Sequence, residues 1–63
     1  MQESFSFWTT SLEDVTGWTR GMDFQCFEYT DDDTIVGVFE DDFSVVRIEW
    51  RGTEAEFVDF CEL

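Results

Sequence analysis

The stretch from Thr34 to Trp50, TIVGVFEDDFSVVRIEW, constrains the fold more than any other part of this chain. Two alternating, β-branched apolar runs flank Asp41-Asp42, a pattern that reads as two strands joined by a tight turn. Pairing Thr34–Glu40 with Phe43–Trp50 across that loop sets Ile35 opposite Ile48 and Gly37 opposite Val46. Upstream, Thr30–Asp33 reverses the chain and brings Phe24–Tyr29 alongside. Downstream, Trp50-Arg51-Gly52-Thr53 fits a second two-residue hairpin, although arginine is not the favoured residue at its first place. That hairpin places Ile48 opposite Ala55, Val46 opposite Phe57, and Arg47 opposite Glu56, so apolar residues share one face and an ion pair the other. The expected fold class is α+β: one domain over residues 1–63, a small antiparallel β-meander of four to five strands with one short N-terminal helix.

The N-terminal part supplies the remaining elements. Ser4–Thr9 (SFSFWT) alternates and gives a further strand. Ser11 as cap, Glu13 and Asp14 in the first turn, and Leu12 and Val15 three apart predict one or two helical turns, broken at Gly17. Residues 53–63 fit two states. Thr53 with Glu56 makes a capping box and Phe57, Phe60 and Cys61 share a helical face, but the hairpin match favours a strand. In the meander one face then holds Phe24, Cys26, Ile35, Phe39, Val46, Ile48, Trp50 and Phe57. The other holds Phe27, Tyr29, Val36, Val38, Phe43, Val45, Val58 and Phe60. Both are apolar and the N-terminal segment covers only one. Either the sheet curls on itself, or the second face meets a second copy (a homodimer) or an obligate partner.

Charge sets the chemistry. Sixteen carboxylates face three arginines and no lysine among 63 residues, a formal net charge of −13. Direct contact with nucleic acid or an anionic membrane is thereby nearly excluded. Disorder is excluded too, because 43% of residues are apolar and 19% aromatic, unlike an acidic tail. With no basic leader and no long apolar run, the expected location is cytoplasmic, of a prokaryotic or host cell. The chain has no His and no Lys, so the usual general base, metal ligand and Schiff-base amine are missing. Its four glycines are isolated and build no phosphate loop. Cys26 and Cys61 have no cationic sequence neighbour and fall on opposite edge strands, ~14 Å apart. They read as small buried hydrophobes. Asp31–Asp42 has the length of a calcium loop, but Ile35 stands at a ligand position and Val36 where the turn glycine belongs. No enzyme activity, cofactor or dedicated metal site is expected.

The acids are unevenly distributed. Residues 1–22 carry three acids and one arginine, a net −2, whereas residues 23–63 net −11. The turn clusters Asp31, Asp32, Asp33 and Glu40, Asp41, Asp42 cap opposite ends of the meander. Glu49, Glu54 and Glu56 lie between them, with Glu49 opposite Glu54 as a like-charge pair. A globule of this mass exposes about 4,300 Å², or ~270 Å² per carboxylate if they are evenly spread. Gathered on half the surface they reach about 130 Å², close to the ~110 Å² of duplex DNA. The acidic turns DDD and EDD, the small size and the aromatic content make the chain similar to phage-encoded nucleic-acid mimics, which block restriction enzymes, CRISPR effectors or DNA-repair enzymes. That resemblance implies a stoichiometric inhibitor seated in a basic channel of a nucleic-acid-binding protein; the charge clusters of the meander, not the resemblance, make those nine acids the expected contacts. The competing expectation is a salt-adapted, oligomeric protein whose acidity is generic.

Overall fold

In a computed structural model, which describes residues 2–62, the elements run β1 (Glu3–Thr9), α1 (Leu12–Trp18), β2 (Asp23–Tyr29), β3 (Ile35–Glu40), β4 (Ser44–Trp50) and α2 (Glu54–Cys61). They form one four-stranded sheet of order β1-β4-β3-β2 with two helices, an α+β arrangement. β2, β3 and β4 make the expected antiparallel meander. The sheet as a whole is mixed, because β1 pairs parallel to β4 from Glu3↔Ser44 to Thr9↔Trp50. The N-terminal strand thus occupies the slot that the hairpin reading gave to residues 53–63.

Those C-terminal residues form a helix instead, which corrects the predicted strand and its pairs Ile48–Ala55, Val46–Phe57, Arg47–Glu56 and Glu49–Glu54. Two contacts explain the choice. Gly52 lies against the Trp50 indole, where a Cβ would come within 2.9 Å of Cζ2, and Trp50 Nε1 donates to Thr53 O at 2.9 Å. The segment is therefore folded over the tryptophan rather than extended beside β4. Arg51 N meanwhile donates to Thr9 O, prolonging the β1–β4 ladder in place of a hairpin. Thr53 is the N-cap residue, but its side chain makes no capping hydrogen bond. Packing of an apolar face outweighs capping here. Phe57 and Cys61, four apart, are buried on that face.

Two further details differ from expectation. The β3–β4 register is offset by two residues, Gly37↔Ile48 and Phe39↔Val46, which moves the turn centre to Asp42-Phe43. Asp41 causes this: its Oδ1 accepts from the N–H groups of Phe43 and Ser44, both at 2.8 Å, fixing it as the first residue of the turn. An offset of two leaves every side chain on its expected face. In β2 the register slips between Phe24 and Cys26, a bulge at Gln25. Phe27 is thereby turned onto the helix side with Phe24, and Cys26 is exposed on the other. Helix α1 also continues through Gly17 to Trp18, whose ring stacks on Phe7 at 4.6 Å.

Both helices cover one face of the sheet. Val15, Ile35, Phe39, Val46, Ile48, Trp50, Phe57 and Cys61 form a single buried cluster. At its centre the Phe57 ring is stacked on Trp50, centroids 5.0 Å apart and 4° from parallel, and meets Phe27 edge-on at 6.1 Å. Gly37 makes room for it, since a Cβ there would fall 2.7 Å from Phe57 Cζ. The shortest dimension of the molecule, 16 Å, accommodates one sheet and one helix layer and nothing more.

Gly37→Ala should lower stability by about 1–3 kcal/mol through overpacking. Phe57→Ala removes the cluster's centre at a cost of about 3–5 kcal/mol, enough to unfold a domain of this size. Urea titrations followed by tryptophan fluorescence and circular dichroism check both. Burial, aided by the Glu62 charge, raises the Cys61 thiol to about 11, while Cys26 is exposed. One thiol per chain should therefore react with a disulfide reagent at pH 8 in the native protein, and two in guanidinium.

Candidate functional site

The sequence expectation gathers the carboxylates on one side; the fold does not. It places the two turn clusters at opposite ends of the sheet and leaves its uncovered face close to neutral. Ser4, Ser6 and Trp8 of β1, Val45, Arg47 and Glu49 of β4, Val36 and Val38 of β3, and Cys26 and Glu28 of β2 make up that face. Arg47 Nε reaches from β4 across β3 to Glu28 Oε1 on β2, at 3.3 Å. Its aliphatic stem and that of Glu28 thus roof Val36 and Val38, which are only 8% and 7% exposed although no helix covers them. Arg51 pairs with Glu49 at 2.9 Å and lays its guanidinium over the Trp8 ring, 4.4 Å from the centroid. The second apolar face anticipated from sequence is therefore covered within the chain over Val36 and Val38, while Trp8, beneath Arg51, and Phe43 stay exposed.

At one end of the sheet, the β2–β3 turn is built by Thr30. Its hydroxyl accepts from the N–H groups of Asp32 and Thr34, its N–H donates to Thr34 O, and its carbonyl accepts from Asp33 N. Asp33 takes the left-handed conformation (φ 62°) that Asp tolerates in turns. Because Thr30 closes the turn, the Asp31, Asp32 and Asp33 carboxylates make no hydrogen bond among the described residues and project into solvent. Asp32, Asp33, Glu49 and Glu54 line one open depression together with Arg51. Glu54 also faces Tyr29, whose phenol is raised above its ordinary value by partial burial and by that carboxylate.

The opposite end differs in chemistry. Glu40 accepts from Gln2 Nε2 at 3.0 Å, and Asp42 is exposed. The Asp41 carboxylate is held below its usual range by the N–H groups of Phe43 and Ser44. Its contribution to the turn is present above the ordinary carboxyl range and is lost as pH falls through the lowered value. Asp41 is thus a turn-former rather than a free contact.

Glu56 belongs to neither end. It is exposed on α2 with Asp59 and Glu62 at intervals of three, an acidic stripe that the strand reading missed and the spacing of three could have shown. Among the described residues no three carboxylates or thiols converge on a metal-sized site, and no helix is long and apolar enough to cross a membrane. No family model, curated protein or solved structure matches this chain.

Arg47→Ala should expose Val36 and Val38, costing about 1–2 kcal/mol and increasing binding of a hydrophobic dye. Arg47→Met keeps the stem and should stay within about 0.5 kcal/mol of the parent, since an exposed ion pair contributes little. Thermal melts of the two variants separate covering from charge.

Proposed function

We propose that this chain is a non-enzymatic acidic binding protein that occupies a basic nucleic-acid-binding surface of a partner protein and inhibits it stoichiometrically. The observation that carries this reading is the lack of internal compensation. Among the described residues only Glu28 and Glu49, of sixteen carboxylates, sit in ion pairs. The rest have no cationic partner among those residues.

Two anionic ends stand on a rigid frame, separated by the six residues of β3, or about 20 Å. A groove lined with Lys and Arg to hold a nucleic-acid backbone offers the complementary field over that length. Asp31, Asp32 and Asp33 with Glu54 form the contact cluster at one end, and Glu40 with Asp42 at the other. Asp41 shapes the turn that presents the second cluster, Glu49 acts through its pair with Arg51, and Glu56 extends the charge along α2. The dispersal of acids over both ends and both helices favours one competing reading, a salt-adapted protein whose acidity is generic.

The test is competition: release of a labelled duplex from basic nucleic-acid enzymes, a restriction enzyme and a CRISPR effector among them, as this protein is added. Asp31→Asn/Asp32→Asn/Asp33→Asn should weaken inhibition roughly 3- to 150-fold, from three exposed charges at ~0.2–1 kcal/mol each. Inhibition should also fade as salt rises from 50 to 500 mM. Indifference of every such enzyme, together with unfolding below molar salt, would replace this reading with the salt-adapted one.

A further inference from the structure

Strand β1 lies at the edge of the sheet, with no strand on its outer side among the described residues. Glu3 N donates to Phe43 O and Arg51 N donates to Thr9 O, both at 2.9 Å, so the odd-numbered residues of β1 bond inward to β4. By alternation, the N–H and C=O groups of Ser4, Ser6 and Trp8 point away from the sheet, and all three residues are exposed. Native edges are normally guarded by charge, proline or a bulge. The opposite edge, β2, has the bulge at Gln25 and the acids Asp23 and Glu28. β1 has one acid at its first position, no bulge and no proline.

Aromatic exposure and low charge coincide at this edge, although Tyr29 on β2 and Phe43 in the β3–β4 turn are exposed as well. Phe5, Trp8 and Trp18 are among the few large hydrophobic residues that remain exposed, and Phe5, Phe7 and Trp18 form a continuous stack along it. Residues 1–22, which hold β1 and α1, net only −2. A second chain of charge −13 meets less like charge there than at either acidic end of the sheet or along α2.

We propose that β1 pairs antiparallel with β1 of a second copy about a two-fold axis through Ser6, joining two sheets into one of eight strands. The backbone sets the register. With Ser6 opposite its own counterpart and Ser4 opposite Trp8, the outward N–H and C=O groups of all three residues find partners. That register places Phe5 opposite Phe7 of the second copy in the close, non-hydrogen-bonded positions, on the face that carries Trp18. Glu3 falls opposite Thr9, so no two acids of the paired strands face each other. This pairing does not depend on whether the acidic ends bind a basic partner.

Sedimentation equilibrium of the full chain at 0.15 and 1 M NaCl tests it. A dimer is expected, tighter at the higher salt because two anionic chains must meet. Ser6→Glu sets two carboxylates opposite each other at the axis. Ser6→Pro removes an outward N–H while sparing the ladder to β4. Each should weaken dimerisation by at least about tenfold with the circular dichroism spectrum unchanged, and Gln25→Glu on the far edge should have no effect. If Ser6→Pro does not fold, Ser6→Glu alone decides. Hydrogen exchange should show the Ser4, Ser6 and Trp8 amides protected in the dimer and fast in the Ser6→Glu variant. A monomer at every concentration and both salts overturns the proposal, as does a dimer that survives Ser6→Glu or breaks with Gln25→Glu.

Discussion

The seating of Phe57 over Gly37 and against Trp50 is the contact on which the rest of this molecule depends. A 63-residue chain with a net charge of −13 has little margin, and its apolar side chains must be buried with few gaps. One ring meets that need by touching three strands at once: Phe27 on β2, Gly37 on β3 and Trp50 on β4. Glycine at 37 allows the helix to sit this close, and Gly52 lets the chain fold over the tryptophan to reach it. Helix α2 follows from these constraints more than from its own propensity, since it has three acids and no base to complement its C-terminal end.

How far the fold was legible in the sequence tracks the range of each interaction. The strands Phe24–Tyr29, Thr34–Glu40 and Phe43–Trp50, the reversal at Thr30–Asp33 and the helical start at Ser11 are written in residues that are neighbours in the chain, and they are present. The identity of the fourth strand was not legible. Both residues 4–9 and residues 53–63 match β4 in pattern, and the choice rests on the contact of Phe57 with Gly37, twenty residues away. The bulge at Gln25 was equally hidden: strict alternation sends Phe27 outward, whereas packing against Phe57 draws it in. For the acids, the two turn clusters could be placed at opposite ends from sequence, but the separate roles of Asp41 and Asp31 could not. Which carboxylate closes its own turn depends on where the turn centres.

The arginines explain why the uncovered face of the sheet tolerates water. With three cations available, the chain commits two to spanning apolar ground: Arg47 over Val36 and Val38, and Arg51 over Trp8. An isolated surface ion pair has little intrinsic worth, so their value lies in their methylenes and guanidinium planes. The consequence is electrostatic. Among the described residues both ion pairs lie on the sheet, whereas Asp31, Asp32, Asp33, Glu40 and Asp42 stand outside any ion pair, so the molecule has a muted face between two acidic ends.

The bulge at Gln25 has a consequence beyond the side chain it turns. A sheet with two open edges can add units at each and grow without limit, the route to filaments. Here the far strand is kinked and acidic, so it offers no template, and whatever joins this sheet does so once. Under the proposed β1 pairing, that single displaced residue helps to confine assembly to two copies.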